Sequence, residues 1–228
     1  MMRILERSVD TEVVHESDAR AFDQYMMREA SALGEWMARS PSRRVVLKAL
    51  HEAHRLRGLM TTFAPSRCIW LYRHFDDVVN SIARRWPGLR NMMDEIITEG
   101  DPGGWRGLGM TGRTRELLAS LYREDMSDAT ITALFWYQRN QLLFDQLLEA
   151  DPRCILVHSE SLVQAPVETI KGISESLDIS YSSYMRAVVH GRSIGKQQPP
   201  TLDPRVRAVC QTMYERLLQS TRSSRTLP

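Results

Sequence analysis

Arg73 and Ser81 stand eight residues apart, the first closing a short apolar run and the second two turns into a segment of helical pattern. A guanidinium and a hydroxyl so placed can close on one anion. The planar fork offers charge-assisted hydrogen bonds to a phosphate, and the hydroxyl adds a neutral one. The run Cys68 to Tyr72 is continuously apolar and predicts a buried strand, while Asp76-Asp77-Val78-Val79 predicts a helix with acids in its first turn. An anion would then lie in the crevice beyond the strand's carboxyl end. A chain with 30 Lys and Arg also offers this spacing by chance, and a surface arginine followed by a helix serine is the competing reading. The setting has to decide.

The elements that must position these residues follow from periodicity. Short apolar runs at Glu12 to His15, Arg44 to Leu47, Cys68 to Tyr72 and Cys154 to Val157 alternate with longer helical patterns, which predicts an α/β chain built on a parallel sheet. Ala19 to Ala38 reads as a helix with Phe22, Met26, Met27, Leu33 and Met37 on its apolar side. Thr130 to Leu148 is the clearest helix, carrying Ile131, Leu134, Phe135, Leu142 and Leu147 before the Asp151-Pro152 break. A further helix starts at Ala165-Pro166 and runs through Ile170, Ile173 and Leu177. From Arg84 to Ser127 the chain is turn-rich, with Trp86-Pro87-Gly88 and Asp101-Pro102-Gly103-Gly104 flanking a helical piece from Asn91 to Thr98. The polar tail from Ser220 to Pro228 reads as frayed.

In this setting the Arg-x7-Ser element resembles that of the sulfotransferase family, where strand, arginine, serine and helix hold the 3'-phosphate of 3'-phosphoadenosine 5'-phosphosulfate (PAPS). Other segments are similar to the same family. Val45-Val46-Leu47-Lys48 resembles its strand ending in lysine, and Phe63-Ala64-Pro65-Ser66-Arg67-Cys68-Ile69 its approach to the arginine strand. Cys154 to Pro166 resembles its hydrophobic strand followed by Tyr-Glu-Asp-Leu and a proline, with Ser159 where the tyrosine near the adenine usually stands. Gly191-Arg192-Ser193-Ile194-Gly195-Lys196 resembles its C-terminal donor loop, with Gln197 in place of the usual tryptophan.

The family begins with a strand and a short Gly-Thr-Thr-type loop whose backbone amides cradle the 5'-phosphosulfate. That loop has no counterpart here: Met1 to Ser8 resembles the second half of the helix after it, and Val9 to Glu16 the second strand with its terminal glutamate. Either the given start lies downstream of the loop or this form has lost it, and opening in mid-helix on two methionines fits the first better. The resemblance implies that Glu16 takes the acceptor's proton, a task for which a carboxylate needs a raised pKa. The alternative is a solvated strand-end acid bonded to a nearby amide. Lys48 is implied to be a cation near the reacting sulfate. Where another branch of the family carries a catalytic histidine this chain has Leu50, so His51 reads as a histidine on a helix surface. Ser193 and Lys196 are implied to cover the donor, and Trp86, Trp105 and Arg106 to contact the acceptor; a surface loop with tryptophans packed beneath it is the alternative for the last three.

The resemblance thus implies a single sulfotransferase-like domain over 1–228, a P-loop-like three-layer α/β fold lacking its first strand and phosphate loop. The implied reaction moves a sulfuryl group from PAPS to a hydroxyl or amine acceptor. Two other readings stand beside it: a non-catalytic relative that binds a partner or nucleotide, and a mainly helical regulator that would have no parallel sheet. Composition bounds all three. With 43% apolar and 25% charged residues the chain is an ordinary globular domain, and a net charge of +2 argues for neither nucleic acid nor anionic membrane as partner. The six histidines show no metal-ligand spacing, so no metal is expected. Cys68, Cys154 and Cys210 are unpaired by spacing and read as reduced core residues, and the absence of a long apolar run or signal-like start reads as cytoplasmic.

Overall fold

A computed structural model of the chain describes residues 1–82, 89–98, 104–190 and 198–225. It opens with a short helix α1 (Met2–Leu5), then β1 (Thr11–Val14), a tight hairpin of β2 (Phe22–Asp23) and β3 (Met26–Met27), helix α2 (Ala30–Met37) and β4 (Arg44–Leu47). Helix α3 (Leu56–Thr62) leads to β5 (Cys68–Tyr72), followed by α4 (Phe75–Ile82), α5 (Leu89–Thr98), α6 (Gly112–Leu121) and the long α7 (Asp128–Asp145). Strand β6 (Cys154–His158) precedes α8 (Ser159–Gln164), α9 (Pro166–Leu177), α10 (Ser183–Arg186) and α11 (Pro204–Arg225).

The fold is mixed α/β, with small parallel sheets flanked by helices. Strands β1 and β4 pair in parallel with Val14 opposite Leu47, and β5 and β6 pair in parallel with Tyr72 opposite His158. Among the described residues the two pairs are not bonded to each other, so each parallel strand is paired along one edge. The expected parallel pairing is present, as two halves rather than one sheet, and a helical regulator without such strands is excluded.

Helix α7 is the centre of the larger core. Ser127 caps it by accepting from the Thr130 amide at 3.2 Å, and Asp128 in its first turn complements the helix dipole. It is buried over most of its surface because α4, α5 and α11 cover it; Ile131, Leu134, Leu142 and Leu143 are fully buried, and the polar Thr130, Thr132, Gln138 and Asn140 are buried with them. Each such side chain contributes on the order of 1.5–3 kcal/mol from burial. A second cluster joins the two strand pairs: Val13, Val46, Ile69 and Ile155, one from each parallel strand, pack with Ile4 and Leu5 of α1 and Ile170 and Ile173 of α9.

Two expectations need correction. Ala19 to Ala38 is not one helix: Gln24 and Tyr25 turn the chain at positive φ (46° and 68°), Met26–Met27 pairs back on Phe22–Asp23, and only Ala30–Met37 is helical. The Met27 amide donates at 2.8 Å to the fully buried Glu52, a long-range bond that helical periodicity does not foresee. The turn-rich stretch from Arg84 to Ser127 also contains a second helix, α6, capped by Thr111. Cys68, Cys154 and Cys210 are free and buried, as expected. Among the described residues no helix is long and apolar enough to cross a membrane.

Candidate functional site

Parallel pairing of β1 with β4 decides the first constellation. The Lys48 amide continues the ladder by donating to the Val14 carbonyl at 3.0 Å, which brings the chain beyond both strand ends together. Lys48 Nζ then donates to Glu16 Oε2 at 2.9 Å, across 32 positions of sequence. The Glu16 side chain is 11% exposed and that of Lys48 34%. Glu16 Oε1 is buried and has no hydrogen-bond partner among the described residues, which leaves an unused acceptor lone pair beside the lysine.

Next to this pair lies an aromatic and cationic cluster. His51 stacks on Trp105 with ring centroids 4.0 Å apart and planes 14° from parallel. The Arg106 and Arg139 guanidinium carbons lie 4.9 and 5.1 Å from the Trp105 centroid. Helix α7 holds the arrangement from below: Gln138 Nε2 donates to the Arg106 carbonyl at 3.1 Å and Arg139 Nη2 to the Leu50 carbonyl at 3.1 Å. Gly109 lets the loop after Arg106 dock, because it has φ +75° and a Cβ there would come 2.7 Å from His54 Cβ. Burial lowers the His51 pKa, opposed by Glu16 and reinforced by Arg106 and Arg139. His51 is therefore not a histidine on a helix surface as expected; it sits in the turn after β4 and belongs to the Trp105 cluster.

The second strand pair carries a different constellation. Arg73 follows β5 as expected, but its Nη2 and Nε lie 2.8 and 3.1 Å from Asp77 Oδ2, and its carbonyl accepts from Trp136 Nε1 at 3.1 Å. Ser81 is half-buried in the last turn of α4. Glu160 accepts from the His74 amide at 3.0 Å through Oε1, while His158 Nε2 lies 2.7 Å from its Oε2 and 2.8 Å from the Tyr214 hydroxyl of α11. Burial pushes the Glu160 carboxyl up, yet His158 and the His74 amide outweigh it and leave the pKa below the ordinary value. Tyr214 is pushed up to about 12 by burial and by Glu160.

A cleft of about 440 Å³ spans the ends of both pairs, lined among others by His15, Lys48, Leu71 and Ser159. Leu71 is 43% exposed there in the middle of β5. The structure thus brings Glu16 and Lys48 together and joins Trp105 to Arg106, while Arg73 and Ser81 belong to the other pair. Trp86, Ser193 and Lys196 lie outside the described residues. Sequence reasoning missed Arg139, although a guanidinium beside Gln138 and Asn140 inside an otherwise apolar helix was a readable signal. The His158–Glu160–Tyr214 contacts were missed because they join β6 to α11 over 50 residues away in sequence.

No family model matches the chain, and no curated protein does. Among solved structures the chain is similar to the "Sulfotransferase Domain from the Curacin Biosynthetic Pathway", with a TM-score of 0.50 and 15% identity over 81% of this chain and 67% of that one. At that identity the likeness shows a sulfotransferase-like fold, and the fold alone.

Proposed function

We propose that residues 1–228 form one sulfotransferase-type domain that moves a sulfuryl group from PAPS to a hydroxyl or amine acceptor. The observation that supports this best is the Lys48–Glu16 contact at the ends of β1 and β4, within a sulfotransferase-like fold, with Glu16 Oε1 left as a buried acceptor atom. In this reading the acceptor's oxygen or nitrogen forms a bond to sulfur, the bond from sulfur to the 5'-phosphate oxygen breaks, and the acceptor's proton passes to Glu16 Oε1. Lys48 offsets charge on the transferring group. Like phosphoryl transfer, this chemistry depends on in-line placement and charge neutralisation. Arg73 and Ser81 take the donor's 3'-phosphate, Ser193 and Lys196 cover the donor, and Trp86, Trp105 and Arg106 meet the acceptor. In the sulfotransferase family a loop after a parallel strand supplies the backbone amides that cradle the phosphosulfate. Residues with those amides are not among the ones described, so no step is assigned to them.

One observation favours a second reading, a non-catalytic relative that binds a nucleotide or partner: Lys48 and Arg73, the two described cations assigned to the donor, are each in contact with a carboxylate. Incubation with PAPS and a panel of hydroxyl and amine acceptors, following release of 3'-phosphoadenosine 5'-phosphate, decides between them. Turnover that falls roughly 100-fold in Glu16→Gln with donor affinity kept is the expected result. Equal activity in that variant removes Glu16 as the base, and nucleotide binding without turnover on any acceptor supports the second reading.

A further inference from the structure

Arg106 and Arg139 are two guanidiniums resting on the same tryptophan ring, and among the described residues neither meets a carboxylate within ion-pair distance. Arg139 is half-buried and its Nη1 is sealed from water with no hydrogen-bond partner. His51 Nδ1, in the ring stacked on Trp105, is buried and unpartnered as well. Removing cations from water without a counter-charge is unfavourable, and buried donors without acceptors add to that cost. Burial and the neighbouring Arg106 accordingly push Arg139 down to about 10. The contacts already made point the same way: Leu50 and Arg106 offer only neutral carbonyls, through Arg139 Nη2 and Gln138. The carboxylate of Glu16, near enough to influence His51, has one oxygen on Lys48. An oxyanion supplied from outside would give the two guanidiniums the acceptor and counter-charge they lack, since its oxygens accept from guanidinium forks in a plane.

We infer that Arg106, Arg139, Trp105 and His51 form a binding subsite for an oxyanion, a carboxylate or phosphate carried by the molecule that enters beside Glu16. Calling that molecule the sulfuryl acceptor rests on the function proposed above; the anion subsite does not. Its neighbours explain its selectivity. Glu16, paired with Lys48, is close enough to influence His51, so a molecule whose anionic group is held by the guanidiniums has its remainder near Glu16.

The test is calorimetric binding to the full chain of three matched probes: 4-hydroxybenzoate, 4-hydroxyphenyl phosphate and the neutral 4-hydroxybenzamide. Binding of either anion at least roughly tenfold tighter than the amide is expected, a difference of about 1.4 kcal/mol, and the two anionic probes separate carboxylate from phosphate recognition. Arg139→Gln and Arg106→Gln should each abolish the preference, whereas Arg39→Gln, at an exposed arginine just after α2, should leave it intact. Thermal unfolding reports whether Arg139→Gln folds, and Arg106→Gln decides the matter alone if it does not. Equal binding of anions and amide, no binding of any probe, or a preference kept in Arg106→Gln overturns the inference. Its failure is separable from that of the proposed function. Arginine-dependent anion binding without transfer from PAPS leaves the subsite standing and removes the sulfotransferase reading; transfer to neutral and anionic acceptors alike does the reverse.

Discussion

The two parallel strand pairs end in opposite electrostatic states. Beyond β1 and β4, three buried polar atoms, Glu16 Oε1, His51 Nδ1 and Arg139 Nη1, have no partner among the described residues. Beyond β5 and β6 most polar groups are tied to one another: Arg73 to Asp77, Glu160 Oε1 to the His74 amide and His158 to Tyr214, while Glu160 Oε2, buried without a hydrogen bond, lies within ion-pair distance of His158. A site with unmet donors and acceptors gains hydrogen bonds when a ligand arrives, whereas a tied one must first give up the contacts it has. The first end thus keeps unused hydrogen-bonding capacity, and the second has spent most of its own on internal contacts. The Arg-x7-Ser element, the most legible motif in the sequence, lies at the second end.

The largest effect should come from untying that end. Glu160→Ala leaves the His74 amide and His158 without their acceptor in a buried setting, so it should cost about 3 kcal/mol of stability at neutral pH, measured by urea unfolding. Because the folded pKa of Glu160 lies below the ordinary carboxylate value of about 4.3, its contribution is fully present above that value and is lost as pH falls through the folded pKa. The gap between wild type and Glu160→Gln should accordingly narrow from neutral pH to below about pH 4; a constant gap would show that the carboxylate's charge is not what stabilises this end.

A smaller effect sharpens the contrast by asking whether the tied arginine can still bind. Arg73→Ala should lose roughly 2–3 kcal/mol of affinity for 3'-phosphoadenosine 5'-phosphate relative to the analogue without the 3'-phosphate. Asp77→Asn, which weakens the competing contact, should gain about 1 kcal/mol, or roughly fivefold. If neither variant shifts the preference in calorimetry, the 3'-phosphate is not held here. At the open end, Gly109→Ala forces a Cβ against His54 at a positive φ and should cost about 1–2 kcal/mol. It should also weaken 4-hydroxybenzoate binding by displacing the loop that carries Trp105 and Arg106, and unchanged probe affinity would show that the loop does not form the subsite. The smallest effect is Ser81→Ala, worth about 1 kcal/mol in the nucleotide comparison, as for one neutral hydrogen bond.

Legibility differed between the halves for a physical reason. Strands β4, β5 and β6 announce themselves by short runs of mostly apolar residues, and helix α7 by apolar residues recurring at helical spacing, signals that hold even though β4 is only half-buried and Leu71 of β5 is exposed. The Ala19 to Ala38 segment misleads because its methionines satisfy a helical period, while Glu52, over twenty positions away, captures the Met27 amide and fixes a hairpin instead. His51 looks like a solvent-facing residue until Trp105 folds onto it.

The sequence alone determined the local elements and the residue types available at strand ends: an acid at 16, cations at 48 and 73, and a guanidinium inside α7 at 139. Such features depend on hydrophobic period and on neighbours a few residues away. Which of those charges meet was decided only by the tertiary structure. Parallel register sets Lys48 against Glu16 over 32 positions, the packing of α11 sets Tyr214 against His158, and the docking of the 104–109 loop on α7 gathers Arg106 and Arg139 around one ring. Electrostatic energy falls off with distance in space and carries no memory of distance along the chain, so the partners of a charge are fixed by packing.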